Sequence, residues 1–177
     1  MLTLTQHLSQ YAAYHRDRRN IATHFVGIPL IVFAVIVLLS RPAFSLGLLT
    51  VTPALLVSLA TTVFYLKLDL RYGVVMGILL ALGVELATPF QAGTTTEWLS
   101  WGLGLFFVGW VIQFIGHYFE GKKPAFVDDL IGLAIGPLFV VAELGFMLRM
   151  RREVEHAIIH NVGPTYIRDL STAPSRG

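Results

Sequence analysis

Four apolar runs, each close to the length that crosses a lipid bilayer, constrain this chain more than any other feature. They cover residues 21–40, 44–66, 72–87 and 98–116. A helix needs about 20 mainly apolar residues to span a membrane. Soluble domains carry about 25% charged residues, whereas this chain carries 14% and is 55% hydrophobic. The sequence therefore predicts an all-α, polytopic membrane helical bundle with about four crossings.

A fifth apolar run, residues 130–148, has basic residues beyond both of its ends. By the positive-inside rule, such flanks favour the same side of the membrane for both ends. Because Gly136-Pro137 interrupts the run near its middle, we expect a broken, re-entrant pair of half-helices, or a segment that lies in the membrane interface, which other helices cover. The alternative is a fifth crossing that places the C-terminus outside.

Within the N-terminal segment 1–19, residues 2–14 are predicted to form an amphipathic helix that lies on the membrane surface. Its apolar residues recur at helical spacing: Leu4, Leu8, Tyr11 and Ala12. The chain of 177 residues is then a single integral membrane domain, with the bundle over residues 20–148. Residues 149–177 are expected to form a cytoplasmic tail, which begins helical and becomes loose from residue 164.

The basic residues indicate which helix ends face the cytoplasm. Lys and Arg cluster before the first run, between the second and third, after the fourth, and before the tail. The positive-inside rule then puts both termini in the cytoplasm, at a bacterial inner membrane or at the endoplasmic reticulum. This arrangement explains the basic residues without a nucleic-acid partner. The absence of cysteine excludes disulfides and thiolate metal sites.

All six histidines fall near the predicted cytoplasmic ends of the helices. They are His7, His15, His24, His117, His156 and His160. Neutral imidazoles suit iron, zinc, copper and nickel, although a general preference of histidine for membrane interfaces also explains this location. We expect His7 to lie on the surface. His156 and His160 are four residues apart and share a helix face, as many solvated pairs do.

His15 and His24 converge only if the helix is interrupted between them. They are nine residues apart and would lie on opposite faces of one straight helix, because each residue turns the helix by about 100°. The polar segment 16–20, with Asn20 as the helix cap, supplies the expected break.

His117 and Glu120 share a helix face where the fourth run leaves the membrane. Glu120 has three possible roles: metal ligand, partner that fixes a histidine tautomer, or ion-pair partner of Lys122. Polar groups at a membrane boundary are costly unless they are paired or used, so this stretch is the main candidate for a functional site.

Several of these positions match one known pattern. They are Tyr14-His15, Asn20, His24 and Pro29, then Gly109-Trp110, Gln113-Phe114, Gly116-His117, Phe119-Glu120, Pro124-Ala125 and Asp128, and finally Glu155-His156. In these positions the chain resembles the DUF962 family, which is typified by a fungal 2-hydroxy fatty acid dioxygenase of the endoplasmic reticulum. His7 and His160 fall outside the matching positions.

The resemblance implies an Fe2+ enzyme of fatty acid α-oxidation. It would use O2 to shorten a 2-hydroxy long-chain fatty acid by one carbon with release of CO2, a reaction that needs no external reductant. The expected metal ligands are His15, His24, His117 and His156. The expected catalytic residues are His117 and Glu120. Lys122, Lys123 and Arg18 are expected to bind the substrate carboxylate, although membrane orientation and lipid headgroups also account for these cations.

Two other functions are compatible with the sequence. A bis-histidine haem electron carrier would use two of the histidines as axial ligands. A non-catalytic scaffold or transporter would use Glu85 and Glu143, which fall within apolar runs. The His-x-x-His-His boxes of membrane desaturases do not occur in the sequence.

Overall fold

The computed structural model describes residues 2–47, 49–125 and 130–171, and these form an all-α membrane protein with one small hairpin. The helices are α1 (Leu4–Ala12), α2 (Arg18–Leu38), α3 (Pro53–Leu68), α4 (Leu70–Leu86), α5 (Thr88–Ala92), α6 (Thr95–Glu120), α7 (Gly132–Met147) and α8 (Arg152–Val162). The strands β1 (Phe44–Leu46) and β2 (Leu49–Val51) pair antiparallel. Asp128 of the matching pattern lies outside the described residues.

Three segments of the described chain are long and apolar enough to cross a membrane. They are α2, α6 and Leu70–Ala92, which contains α4 and α5. The bent pair of α7 and α8 makes a fourth if it counts as one span, whereas α3 has only 16 residues. Large apolar side chains along these helices are exposed, such as Ile78 at 56% and Phe107 at 71%. Lipid covers such surfaces in a membrane protein, and the predicted fold class is confirmed.

The second apolar run is shorter as a helix than the sequence predicts. Residues 44–51 form the hairpin, so the helix expected over 44–66 begins only at Pro53. Thr52 caps it by accepting a hydrogen bond from the backbone N–H of Leu55 (3.1 Å). Proline suits the first helical position because its missing N–H would have no partner there.

The loop expected over residues 89–97 is partly helical, because α5 occupies its first part. The start of α6 has reciprocal caps. Glu97 accepts from the backbone N–H of Thr94 (2.8 Å), and Thr94 Oγ1 accepts from the N–H of Glu97 (3.2 Å). These bonds pair two donors that an isolated helix end leaves unpaired.

The fifth apolar segment does not break at Gly136-Pro137, and that prediction is wrong. α7 runs through Pro137 without interruption, and Phe139, which is fully buried, is one of the side chains that hold it by packing. The chain bends instead after α7, where α7 and α8 meet at 113°. Arg149 and Arg151 adopt positive φ angles of 61° and 53° at this bend.

The chain divides into two compact units, Met1–Ile28 with Val111–Gly177, and Pro29–Trp110. In the first unit α1 packs against α7 and α8. The predicted apolar face of α1 is confirmed by the burial of its four residues: Leu4, Leu8, Tyr11 and Ala12. Protein covers this face, however, so the predicted packing of α1 on the membrane surface is wrong.

In the second unit α3 and α4 pack against each other. The indole Nε1 of Trp98 donates to the carbonyl oxygen of Val37 (2.7 Å). The guanidinium of Arg41 lies 5.2 Å from the Trp98 ring and donates to the carbonyl oxygen of Gln91 (2.9 Å). The guanidinium of Arg41 is therefore bound by residues of the second unit.

Candidate metal centre

Three histidines from three separate segments converge in the first unit. His15 lies in the loop between α1 and α2, His24 on α2, and His117 in the last turn of α6. Their ring centroids are 4.5 Å apart for His15 and His24, 5.0 Å for His15 and His117, and 5.3 Å for His24 and His117. All three are buried, and each offers a ligand atom within 4.8 Å of the others. We call these residues the histidine group.

The hydrogen bonds of the first two histidines fix their tautomers. Nδ1 of His15 lies 2.7 Å from the carbonyl oxygen of Tyr11, and Nδ1 of His24 lies 2.8 Å from that of Asn20. A carbonyl oxygen only accepts, so Nδ1 carries the proton in both rings and Nε2 keeps its lone pair. This is the arrangement typical of histidines that bind a metal.

Two nitrogens of the histidine group lack a hydrogen-bond partner within the described part of the chain. They are Nε2 of His15 and Nδ1 of His117, and both are fully buried. A buried polar atom without a partner is destabilising, and a bound cation would remove that cost for both at once. Three neutral imidazoles suit iron, copper, zinc or nickel. The donor set therefore fits the Fe2+ that the resemblance implies.

Burial keeps the first histidine in its metal-binding form. It lowers the pKa of His15 well below the ordinary value of 6.5, and the nearby His24 lowers it further. A charged imidazolium is poorly solvated in such a site. His15 is therefore neutral near pH 7 and its lone pair is available.

Glu120 holds the loop that carries His15. Its side chain, 2% exposed, accepts from the backbone N–H of Arg16 (3.0 Å) and of Asp17 (2.8 Å) and from Nδ2 of Asn20 (3.0 Å). The phenol of Tyr166 lies 3.5 Å from its other oxygen. The carboxylate is outside the histidine group, and these contacts show it as an anchor for the turn between α1 and α2.

Arg16 secures the same loop from its other side. The buried guanidinium donates to the carbonyl oxygens of Ala12 (3.0 Å), His15 (3.1 Å) and Gly163 (3.0 Å). Its NH2 group lies 3.8 Å from Glu143. These bonds satisfy the carbonyl at the end of α1 and fix the backbone of His15 directly.

The segment after α8 also holds this loop in place. The prediction of a loose tail from residue 164 is therefore wrong for residues 166–168, which make the hydrogen bonds below. The backbone N–H of Tyr166 donates to Arg16 (2.9 Å), and that of Arg18 donates to Tyr166 (2.9 Å). The N–H of Arg168 donates to the carboxylate of Asp17 (2.8 Å). A short strand-like pairing thus fixes the loop at its outer edge.

Gly121 ends α6 and makes room for this segment. It has a φ of +70°, a left-handed conformation that glycine adopts without strain. A Cβ at this position would overlap the guanidinium of Arg168. The helix therefore ends directly after Glu120 and leaves its carboxylate facing the loop.

Two aromatic rings pack against His15 at the edge of the histidine group. Tyr11 stacks on His15, with centroids 4.1 Å apart and planes inclined by 7°. The ring centroid of Phe139 on α7 lies 5.7 Å from that of His15 and 5.0 Å from that of Tyr11.

Tyr11 also lines a cavity of about 370 Å³ together with His7 and Ile135. His7 is 5% exposed, so its expected surface position is wrong.

The remaining predicted site residues lie apart from the histidine group. His156 is exposed on α8 and does not join the group, because α8 buries its other face through Val154 and Ile158. His160 is also exposed. The three predicted substrate cations are exposed: Lys122, Lys123 and Arg18.

Two of these cations nevertheless lie beside the loop that carries His15. Lys122 Nζ donates to the carbonyl oxygen of Ala13 (2.8 Å), and Arg18 Nε donates to Thr165 (3.3 Å).

Sequence reasoning missed the residues that build the loop. The sequence indicates Arg16 and Asp17 only as part of a polar break, and Asn20 as a helix cap. Asn20 lies inside α2, and Asp17 instead accepts from the backbone N–H of Arg19 (2.9 Å) at the start of that helix. Arg16 sits next to His15 in the sequence, which is the one signal that could have drawn attention to it.

Gly116 lets α2 and α6 approach closely beside His117. A Cβ at Gly116 would overlap the side chains of Thr23 and Asn20. We expect Gly116→Ala to lower stability by about 1–3 kcal/mol, the usual cost of overpacking, and to weaken metal binding by separating His24 from His117. Thermal unfolding in detergent and metal content measure both effects.

Gly104→Ala is the matched control for this prediction. Gly104 lies on the same helix, and a Cβ there would meet no atom within 4 Å. Because alanine favours a helix over glycine by about 1 kcal/mol, this variant should be as stable as the wild type or more stable. Equal behaviour of the two variants would contradict the close approach at Gly116.

The ring packing disfavours the haem alternative. Two axial histidines hold a haem by lying on opposite sides of the macrocycle. Here the centroids of His24 and His117 are 5.3 Å apart, and the third ring, His15, contacts both. Tyr11 and Phe139 pack against this third ring. The arrangement suits a single ion between three rings.

Comparison with known proteins adds to this geometry. A sequence model of the family described as "2-hydroxy-palmitic acid dioxygenase Mpo1-like" matches residues 1–148. The curated 2-hydroxy-palmitic acid dioxygenase MPO1 of Saccharomyces cerevisiae is 34% identical over 164 residues, which cover 88% of this chain and 90% of that protein. No solved structure matches the chain. The matched range contains the whole histidine group and ends before His156.

Proposed function

The chain belongs to the Mpo1-like family, and from this we propose that it is an Fe2+-dependent membrane dioxygenase of 2-hydroxy long-chain fatty acids. The product is the acid one carbon shorter, with CO2, as in fatty acid α-oxidation. The observation that carries the proposal is the histidine group, with two buried ring nitrogens that have no partner among the described residues. His15, His24 and His117 would hold the metal.

The proposed reaction balances without a further reductant. R–CHOH–COOH and O2 give R–COOH, CO2 and H2O. The bond between C1 and C2 breaks, C2 is oxidised to a carboxyl carbon and C1 to CO2, and the four electrons released reduce O2. A bound Fe2+ would supply the redox centre for this exchange, with positions left open by the three protein ligands.

The residues of this chain have three tasks in such a reaction. The carbonyl oxygens of Tyr11 and Asn20 orient two imidazoles through their Nδ1–H groups. Tyr11 and Phe139 shield His15 from solvent. Glu120, proposed from the sequence as catalytic, positions the loop through its hydrogen bonds. We therefore assign it a positioning role.

The surrounding cations and the membrane position complete the proposal. Lys122, Lys123 and Arg18 would attract the substrate carboxylate from the aqueous side. A long acyl chain partitions into lipid at about 0.8 kcal/mol per CH2, so a site at the end of α6 meets the substrate where it resides. We propose that this end of the helices, and both termini, face the cytoplasm.

Anaerobically purified protein tests this function directly. We expect about one iron per chain bound by the three imidazoles, no haem absorption, and conversion of 2-hydroxypalmitate with O2 to pentadecanoate and CO2 in equal amounts. Palmitate should not react, because the hydroxyl-bearing C2 is the centre that is oxidised. Equal turnover of both acids, or turnover without metal, would contradict the proposal.

A further inference from the structure

Gln113 is a buried polar residue whose side-chain oxygen has no role in the hydrogen bonds described above. Its side chain is 4% exposed, and its Oε1 atom has no hydrogen-bond partner within the described part of the chain. Buried amide oxygens are nearly always paired, and an exception needs an explanation. The buried carboxylate on the same helix differs, because Glu120 has several donors.

The position of Gln113 places it beside the metal centre. It precedes His117 by four residues on α6, and side chains at this spacing are neighbours, with Cβ atoms about 6 Å apart. Gly116 lies between them on the same buried face. α6 ends at Glu120, so Gln113 lies one helical turn deeper in the apolar segment than His117.

We propose that the Gln113 side chain is a specificity-determining residue that accepts a hydrogen bond from the 2-hydroxyl of the substrate. This inference rests on the proposed function. An unpaired acceptor needs a donor, and the ionised substrate has one O–H group, on C2. Its carboxylate only accepts hydrogen bonds, so Oε1 of Gln113 distinguishes the hydroxyl from every other group of the acid.

The depth of Gln113 agrees with the order of atoms in the substrate. The carboxylate lies towards the aqueous cations and the acyl chain lies in the apolar region, so C2 follows C1 inwards. An acceptor one turn deeper than His117 meets C2. The shortened product has no 2-hydroxyl and leaves Oε1 unpaired again, which favours its release.

Gln113→Leu and Gln113→Met test the inference, because both remove the acceptor and keep a similar volume. In the unliganded holoprotein Oε1 has no partner among the described residues to lose, so both variants should unfold at the wild-type temperature or above it. Gln91→Leu is the matched control. Nε2 of Gln91 donates to the carbonyl oxygen of Ser40 (2.9 Å), so this substitution should lower the unfolding temperature and leave the substrate preference unchanged.

Binding of 2-hydroxypalmitate and of palmitate is then measured without O2, which prevents turnover. Wild-type holoprotein should prefer the hydroxylated acid, and the Gln113 variants should lose at least about tenfold of this preference, with palmitate binding and metal content unchanged. Three results would overturn the role of Gln113 without contradicting the proposed function. They are an undiminished preference, loss of metal, and a fall in unfolding temperature like that of Gln91→Leu. A wild type without any preference would contradict the proposed function as well.

Discussion

Replacing His117 by alanine is expected to abolish turnover and most metal binding. The substitution removes one of three buried ligands and leaves His15 and His24, whose rings are 4.5 Å apart. Two imidazoles cannot hold an ion as tightly as three, and the space left by the ring admits water. Metal content by elemental analysis and CO2 release from 2-hydroxypalmitate measure the two losses.

His156→Ala is the matched control, because the sequence predicted the same role for both histidines. His156 is exposed on α8, so its removal should leave metal content and turnover near the wild-type values, as surface substitutions generally do. Loss of metal in His156→Ala would place α8 at the site and contradict the arrangement described here. Full turnover in His117→Ala would exclude the histidine group as the catalytic centre.

The predictable part of this fold comes from short-range patterns. Hydrophobic runs located α2, α4 and α6 to within a few residues, and the helical spacing of Leu4 and Leu8 identified the buried face of α1. The same kind of pattern also locates the buried face of α8. Val154 and Ile158 are spaced by four residues and form the buried face of α8, which directs His156 outwards.

The loop that joins the histidines depends on long-range contacts that no local pattern encodes. Glu120 binds the backbone of Arg16 across 104 residues of sequence, and Arg16 binds Gly163 across 147. A carboxylate three residues after a histidine is compatible with a metal ligand, a histidine partner or an ion-pair partner, since short spacing is the only available evidence. Only the tertiary structure shows that backbone N–H groups already occupy its oxygens.

Glu120→Leu is therefore expected to destabilise the protein by at least about 3 kcal/mol. The substitution leaves two buried backbone N–H groups and the Asn20 amide without their acceptor, and each such loss costs about 1–3 kcal/mol. Glu120→Gln keeps one acceptor oxygen and should fall between the wild type and Glu120→Leu. Unfolding of the detergent-solubilised protein gives the order of the three.

The same variants distinguish a positioning residue from a catalytic one. If Glu120 acts by holding the loop, metal affinity and stability fall together from Glu120→Gln to Glu120→Leu, and excess Fe2+ partly restores both, because ligand binding is linked to folding. Glu85→Leu replaces an exposed carboxylate and should change neither property. A Glu120→Gln protein with wild-type stability and metal content but no turnover would instead make the carboxylate a catalytic group, because the loop would then be intact while the chemistry fails.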